Sequence, residues 1–199
     1  RPARFLCMFK FYHARTALYG AYRLAMTDIA GMSYFDRSIT GFWRSFYAAG
    51  LVAPLFITLL IIRFNTHDIN VPAFRFYSTE VIAYVIGWVL FPLVVFHLIQ
   101  ALNKEEHYIG FVVAYNWASV LQNGVYLPFA ILFQLGMISG GIAGFLNLIL
   151  LGLVLGYTWF IAKTALNISG TVASGIVILD VGLWITLNIL TESFIRTST

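Results

Sequence analysis

Long runs without a charged residue are the feature that most limits what this chain can fold into. Three such runs, of eighteen, twenty-three and fifty-six uncharged residues, lie at 45–62, 81–103 and 107–162. A helix that crosses a bilayer needs about 20 consecutive apolar residues, so the longest run accommodates two crossings and a turn. Only 10% of the chain is charged, whereas soluble domains carry about 25% charged residues. The bilayer is therefore the expected solvent.

A cluster of four glycines within residues 136–144 marks the turn inside the longest run. The apolar run after Lys163 is interrupted by a single charge, Asp180. Helices are expected throughout, because a helix satisfies its own backbone hydrogen bonds in lipid. We predict an all-α polytopic integral membrane protein, with an N-terminal segment at 1–44 and a five-helix transmembrane domain at 45–199. The five predicted crossings lie near 45–63, 81–102, 109–135, 141–163 and 171–193.

The N-terminal segment is too charged to cross a membrane and too apolar to be a free tail. Spacing along a helix predicts an apolar face of Leu18, Tyr22 and Met26 beside a basic one. This pattern is typical of an amphipathic helix lying in the membrane interface, and a targeting segment rich in Arg and poor in acidic residues is the alternative. The residues expected to contact lipid head groups are Lys10, Arg15 and Arg23.

Lys and Arg are distributed unevenly along the chain. Seven of the twelve precede the first predicted crossing. With the N-terminus inside, five crossings place nine on the inner side and three on the outer side, the arrangement that the positive-inside rule favours. We expect the N-terminus inside and the C-terminus outside, in a bacterial inner membrane or an organellar inner membrane. The net charge of +4 predicts contact with the anionic lipids of the bilayer and not with nucleic acid.

The third predicted crossing contains a stripe of polar residues in the stretch VVAYNWASVLQN, residues 112–123. On a helix these side chains fall on one broad face, and lipid does not tolerate such a face, so it must meet protein or water. Hydrogen bonding between helices is one interpretation, and a polar pathway or binding site is the other. The stripe comprises Tyr115, Asn116, Ser119, Gln122 and Asn123.

Asp180 lies near the middle of the fifth predicted crossing, where a carboxylate costs about 2.5–3.5 kcal/mol even on lenient scales. No Lys or Arg of the chain falls at the same depth. The sequence therefore predicts that Asp180 is held by the stripe, with Asn116, Gln122 or Asn123 as its neutral partner. A role in passing protons or cations is the alternative.

Small residues and prolines also recur in the predicted crossings. Gly152 and Gly156 are four residues apart, the spacing that allows two helices to approach closely, so we expect them to serve helix packing. Pro54, Pro92 and Pro128 each lie inside one of the first three crossings. They either bend helices around a cavity or reflect the ordinary frequency of proline in membrane helices.

Sequence signals for catalysis are missing. The chain has no phosphate-binding glycine loop, no metalloprotease histidine pair and no Gly-x-Ser-x-Gly elbow. Its single cysteine, Cys7, cannot form an internal disulfide. His97 lies in the second crossing without a second histidine at that depth, so a bis-histidine haem is not expected. We predict a protein that is not an enzyme and has no metal site and no cofactor.

The organisation of a basic segment followed by five closely spaced crossings, with GFWRSFYAAGLVAPLF at 41–56 entering the first, resembles the Ypt/Rab-interacting-protein-like membrane family. The resemblance implies a non-enzymatic membrane protein with protein partners. We therefore expect an accessory or assembly subunit of a larger membrane complex. A small transporter or channel that uses the stripe and Asp180 is the first alternative, and a pigment- or haem-associated subunit that uses His97 is the second.

Overall fold

The computed structural model describes the backbone of residues 2–66 and 71–196 and the side chains of residues 13–66 and 71–195. Within these ranges the chain is helical apart from short links, and it contains no strand. The elements are α1 (Pro2–Ala25), a 3-10 helix (Ile29–Tyr34), α2 (Ile39–Ser45), α3 (Tyr47–Thr66), α4 (Ala73–Ala101), α5 (Glu105–Gln134), α6 (Gly140–Leu166) and α7 (Gly170–Arg196).

Four helical segments of the described chain are long and apolar enough to cross a membrane, namely 39–66, 73–101, 140–166 and 170–195. The first of them joins α2 and α3, which are separated only by Phe46. The all-α, membrane-spanning class predicted from the sequence is thus confirmed for four helices. The remaining predicted crossing forms α5, which has 30 residues but is more polar. A fifth crossing stays a prediction.

α5 lies at the centre of the bundle and contacts five elements: α1, α2, α3, α4 and α6. Nine of the ten residues from Gly110 to Ser119 are buried, including Asn116 and the bulky Trp117. This half of α5 is therefore surrounded by protein, whereas Val125 and Phe133 of its C-terminal half are exposed. Of the five predicted crossings, the most polar one is thus the one whose N-terminal half the other helices enclose.

The outer helices present apolar side chains to their surroundings. α7 packs against α4 and α6, and most of the side chains in the spanning parts of α6 and α7 remain outside the protein core. Leu148 and Leu153 of α6 and Ile178 of α7 are examples of large apolar side chains that are mostly exposed. Such continuous apolar surface is expected of helices that face lipid.

α1 packs against α5 and α6 through a face of small and apolar side chains. Ala17, Ala21 and Leu24 are buried in the same core as α5. The Tyr157 hydroxyl of α6 donates a hydrogen bond of 2.6 Å to the Ala21 carbonyl. Of the apolar face predicted for this helix, Leu18 is partly buried, whereas Tyr22 and Met26 are exposed. Location of α1 in the membrane interface stays a prediction.

α1 and the 3-10 helix, which together we call the N-terminal unit (residues 2–34), meet backbone to backbone. A Cβ atom on Gly20 would lie 2.9 Å from the Gly31 carbonyl oxygen and 2.8 Å from the Cβ of Tyr34. A Cβ atom on Gly31 would lie 2.6 Å from the Gly20 carbonyl oxygen. Only glycine fits at these two positions, because Cβ atoms do not approach other atoms so closely.

Asp28 joins the two elements of the N-terminal unit electrostatically. Its Oδ1 accepts a 2.9 Å hydrogen bond from the Ala30 backbone N–H and so caps the 3-10 helix. Its Oδ2 accepts a 2.7 Å hydrogen bond from the Arg23 Nε, and Arg23 also donates to the Tyr34 hydroxyl at 3.0 Å. The Ala30 N–H, followed by the Arg23 guanidinium, lowers the pKa of Asp28 below its usual value.

Candidate functional site

The carboxylate of Asp180 is bonded by Tyr115. Each lies ten positions after the first residue of its helix, Glu105 for α5 and Gly170 for α7. At a rise of 1.5 Å per residue both are about 15 Å along their helices. The Tyr115 hydroxyl donates to Asp180 Oδ1 at 2.9 Å. In the described part of the chain no Lys, Arg or His side chain lies within 4.0 Å of this carboxylate.

The length of the tyrosine side chain makes this contact feasible. α7 packs mainly against α4 and α6, so it lies beside α5 without close backbone packing. The Tyr115 ring is held by Phe91 of α4 at a centroid distance of 4.5 Å and by Phe111 at 6.0 Å. The tyrosine side chain has only two torsion angles, and packing against two other rings restricts both. Its hydroxyl therefore keeps one direction.

Asn116 makes a second, separate contact with the start of the bundle. Its Nδ2 donates to Ser45 Oγ at 2.8 Å, and the Ser45 hydroxyl donates to the Phe42 carbonyl at 2.7 Å. Asn116 and Ser45 are both fully buried. The Asn116 Oδ1 atom is also buried and has no hydrogen-bond partner. This bond fastens the end of α2 to α5.

Gln122 makes a third contact, with α6. Its Nε2 donates to Thr158 Oγ1 at 3.1 Å and lies 3.5 Å from the Val154 carbonyl oxygen. Ser119 and Asn123 bond within α5: the Ser119 hydroxyl donates to the Tyr115 carbonyl at 2.9 Å, and Asn123 Nδ2 donates to the Ser119 carbonyl at 2.8 Å. The side chains of Ser119 and Asn123 thus bond to carbonyls of their own helix.

The structure thus distributes the predicted cluster over several neighbours. Tyr115 reaches α7, Asn116 reaches α2 and Gln122 reaches α6. Asp180 does meet the stripe, but through Tyr115 and not through the three amides expected from the sequence. The starts predicted from the sequence, residues 109 and 171, do not place Tyr115 and Asp180 at the same depth, whereas the two have equal offsets from the helix starts in the structure.

Gly152 and Gly156, predicted to pack helices together, contact no other helix of the described chain. Both are exposed, and a Cβ atom on either would meet nothing within 4 Å. Flanking them on the same face, at i+3 and i+4 spacings, are the exposed side chains of Phe145, Leu148 and Ile149. We call these five residues the open α6 face.

The three basic residues predicted to contact lipid differ in their surroundings. Arg15 is exposed on α1. Arg23 bonds Asp28 and Tyr34 within the N-terminal unit. The side chain of Lys10 lies outside the described residues. Exposure leaves Arg15 available for an anionic head group, whereas the guanidinium of Arg23 is already partnered.

Metal and haem ligands are not grouped in the described part of the chain. No set of three or more His, Cys, Asp or Glu side chains there is placed to hold a metal ion. His97 is exposed, and its Nδ1 lies 3.1 Å from the Leu93 carbonyl of its own helix.

Comparison with known proteins gives no match: no family profile, no curated protein and no solved structure is similar to this chain. The resemblance to the Ypt/Rab-interacting-protein-like family stays a prediction. The function of the chain is therefore inferred from its own residues.

Proposed function

We propose that the chain is a non-catalytic accessory or assembly subunit of a larger membrane complex. The observation that carries this proposal is the open α6 face, where Gly152 and Gly156 border open space. On this proposal, an uncharged transmembrane helix of another subunit packs against that face.

Glycine inside a helix is unfavourable by about 1 kcal/mol relative to alanine, so two glycines without a packing role are unexpected. The small-xxx-small spacing lets two helix backbones approach closely, and in lipid such packing drives helix association. The described part of the chain does not use this spacing for its own packing, because a Cβ atom added at either position would meet no atom of another helix there within 4 Å. A helix from outside the chain fits the groove that remains between Phe145, Leu148 and Ile149.

The hydrogen bonding of the polar stripe supports a structural role for the rest of the chain. Tyr115, Asn116 and Gln122 each tie α5 to a different helix. Polar side chains engaged in this way hold a bundle together and leave its outer surface free for apolar contacts with a partner.

The test replaces both glycines by a large side chain. We expect Gly152→Leu combined with Gly156→Leu to weaken association about tenfold or more, because overpacking a helix interface costs about 1–3 kcal/mol. Native gel electrophoresis of membranes solubilised in mild detergent measures the size of the complex. Gly182→Leu is the matched control, since Gly182 of α7 also borders open space.

A complex that keeps its size in the double variant would contradict the proposal, as would a wild-type chain that migrates alone. Coexpression of two differently tagged copies tests whether the chain associates with itself. If the two tags copurify, the partner at the open α6 face is a second copy of this chain and not a different subunit. Circular dichroism of the purified double variant checks that the helices are retained.

Asp180 favours a second candidate, a small transporter or channel. A carboxylate at this position in a spanning helix, with one neutral partner among the described residues, is a functional-site hypothesis in its own right. Both candidates share the proposed topology, with the N-terminus inside and the C-terminus outside in a bacterial or organellar inner membrane. In both, Lys10 and Arg15 lie near anionic lipids. Flux through the isolated, reconstituted chain would favour the transporter.

A further inference from the structure

An open cleft of about 440 Å³ lies at the end of the bundle away from the N-terminal unit. Its walls are the C-terminal parts of α3, α5 and α7 and the N-terminal part of α6. Sites for small molecules have volumes of about 300–1,000 Å³, so the cleft is large enough for part of an amphiphile.

The lining of the cleft is polar on one part and apolar on the other. Six of the eleven lining residues are apolar, among them Phe129 and Phe133 of α5. Among the described lining residues Arg63 is the one that is charged. Its charge is offset by Glu80 behind it, so its unused N–H donors are what suit an anionic group. The apolar walls suit a hydrocarbon segment better than a free hydrated ion. The polar lining residues are Arg63, Tyr126, Gln134, Asn147 and Asn188.

The Arg63 side chain is held in place by two residues that do not line the cleft. Its Nη1 donates to Glu80 Oε1 at 3.0 Å, and its Cζ lies 5.9 Å from the centroid of the Phe76 ring. Glu80 is buried and does not line the cleft. A guanidinium has five N–H donors, and Glu80 is its single hydrogen-bond acceptor among the described residues. The remaining donors are free for an anion, the geometry in which arginine binds phosphate or carboxylate.

Two amides add neutral hydrogen-bonding groups. Asn147 is exposed and makes no hydrogen bond with the described residues. Asn188 Nδ2 donates to the Trp184 carbonyl of its own helix at 2.8 Å, which leaves its Oδ1 without a described partner. Both lie in helices that are apolar enough to cross a membrane, where an unbonded amide is unfavourable.

We propose that this cleft binds an acidic lipid, with Arg63 as the counter-ion of its head group, Asn147 and Asn188 as hydrogen-bonding groups, and Phe129 and Phe133 against the first part of an acyl chain. The site is independent of the open α6 face and is tested by a different measurement.

The experiment is native mass spectrometry of the full chain, purified in neutral detergent and incubated with equal amounts of phosphatidylglycerol and phosphatidylcholine. We expect the wild-type chain to retain one phosphatidylglycerol with a preference of about tenfold, the factor that corresponds to one charge-assisted hydrogen bond. Added inorganic phosphate should not displace it, because the phosphate lacks the acyl chain.

Two variants remove the site by different means. Arg63→Gln alone leaves Glu80 buried without its partner, so Arg63→Gln is combined with Glu80→Gln to keep a neutral hydrogen-bonded pair. Gly144→Leu fills the cleft from a position where a Cβ atom meets nothing within 4 Å. With either the double variant or Gly144→Leu, the chain should retain phosphatidylglycerol and phosphatidylcholine about equally. Gly175→Leu, on α7 outside the cleft and also at a position where a Cβ atom meets nothing within 4 Å, should keep the preference.

Lys104→Gln removes a positive charge in the link between α4 and α5, at the other end of the bundle, and it should also keep the preference. The proposal is overturned if the wild-type chain retains both lipids equally, if either cleft variant still prefers phosphatidylglycerol, or if Lys104→Gln removes the preference. Displacement of the lipid by inorganic phosphate would also overturn the proposal, since it would show that the cleft binds a free anion and does not need an acyl chain.

Discussion

The Tyr115 hydroxyl supplies a neutral donor to Asp180, and no Lys, Arg or His side chain of residues 13–66 and 71–195 lies within 4.0 Å of the carboxylate. A carboxylate bonded in this way needs no salt bridge and constrains the spacing of α5 and α7. Tyr115 and Asp180 therefore behave as one unit, and substitutions at the two positions should not have additive effects.

Three substitutions test this unit. Tyr115→Phe or Asp180→Leu should each lower the free energy of unfolding by about 1–3 kcal/mol, because each leaves a polar group of the partner without its bond. Combining Tyr115→Phe with Asp180→Leu should recover most of the loss, since both partners are then apolar. Thermal unfolding in detergent measures all three. Thr186→Val, at an exposed residue of α7 whose side chain donates only to its own helix, is the control.

Asp180→Asn distinguishes the two functional candidates. An amide oxygen still accepts the Tyr115 hydrogen bond, so a structural carboxylate should tolerate this change with little loss of stability. If Asp180 passes protons or cations, the variant should fold normally and lose flux in liposomes. Independent, additive losses from Tyr115→Phe and Asp180→Leu would show that the hydrogen bond does not hold the two helices.

Part of this site is predictable from the sequence. The position of Asp180 in its apolar run shows that it needs a partner, and the stripe on α5 shows where polar groups are available. The choice of Tyr115 over the amides depends on the side-chain length needed to reach a helix that is not in close contact. Periodicity gives the face of a helix but not the gap to the next one.

At the scale of helices, the apolar run lengths locate α3, α5, α6 and α7 to within a few residues, whereas α4 begins earlier than predicted, at Ala73. They do not give the order of packing. In a soluble helix the contrast between polar and apolar faces identifies the buried side. In α6 both lipid-facing and core-facing residues are apolar, so that contrast is lost, and the outward direction of Gly152 and Gly156 could not be derived.

The contact between α1 and the 3-10 helix depends on two glycines. Gly20→Ala or Gly31→Ala should destabilise the N-terminal unit by about 1–3 kcal/mol, because the added methyl group overlaps backbone atoms. Hydrogen exchange of residues 13–34 should rise selectively. Gly175→Ala, at a position with open space around it, should leave exchange unchanged, and equal exchange in all three variants would contradict the packing described for this unit.

For the molecule as a whole, the links on either side of α5 set the topology. α4 ends at Ala101 and α5 begins at Glu105, whereas α5 ends at Gln134 and α6 begins at Gly140. Links of three and five residues are typical of antiparallel neighbours. Because α5 has 30 residues, about 45 Å at 1.5 Å per residue, it is long enough to cross beside α4 and α6.

We therefore expect an odd number of crossings and termini on opposite sides. Reporter fusions at residue 1 and residue 199 should report the inner and outer compartments respectively. Cysteine labelling at Ser139, in the link between α5 and α6, should succeed from the outer side only. Termini on one side would mean that α5 does not cross.

The enclosed position of α5 has a consequence for biogenesis. The insertion machinery tests the hydrophobicity of each segment as it leaves the ribosome, and α5 emerges as the most polar of the five predicted crossings. Its neighbours α1 to α4 are synthesised earlier, so their surfaces are available to receive it before α6 closes the other side. A crossing α5 would thus be retained in the membrane by helices already inserted there, and its synthesis after them, not its own partitioning into lipid, would determine whether the protein matures.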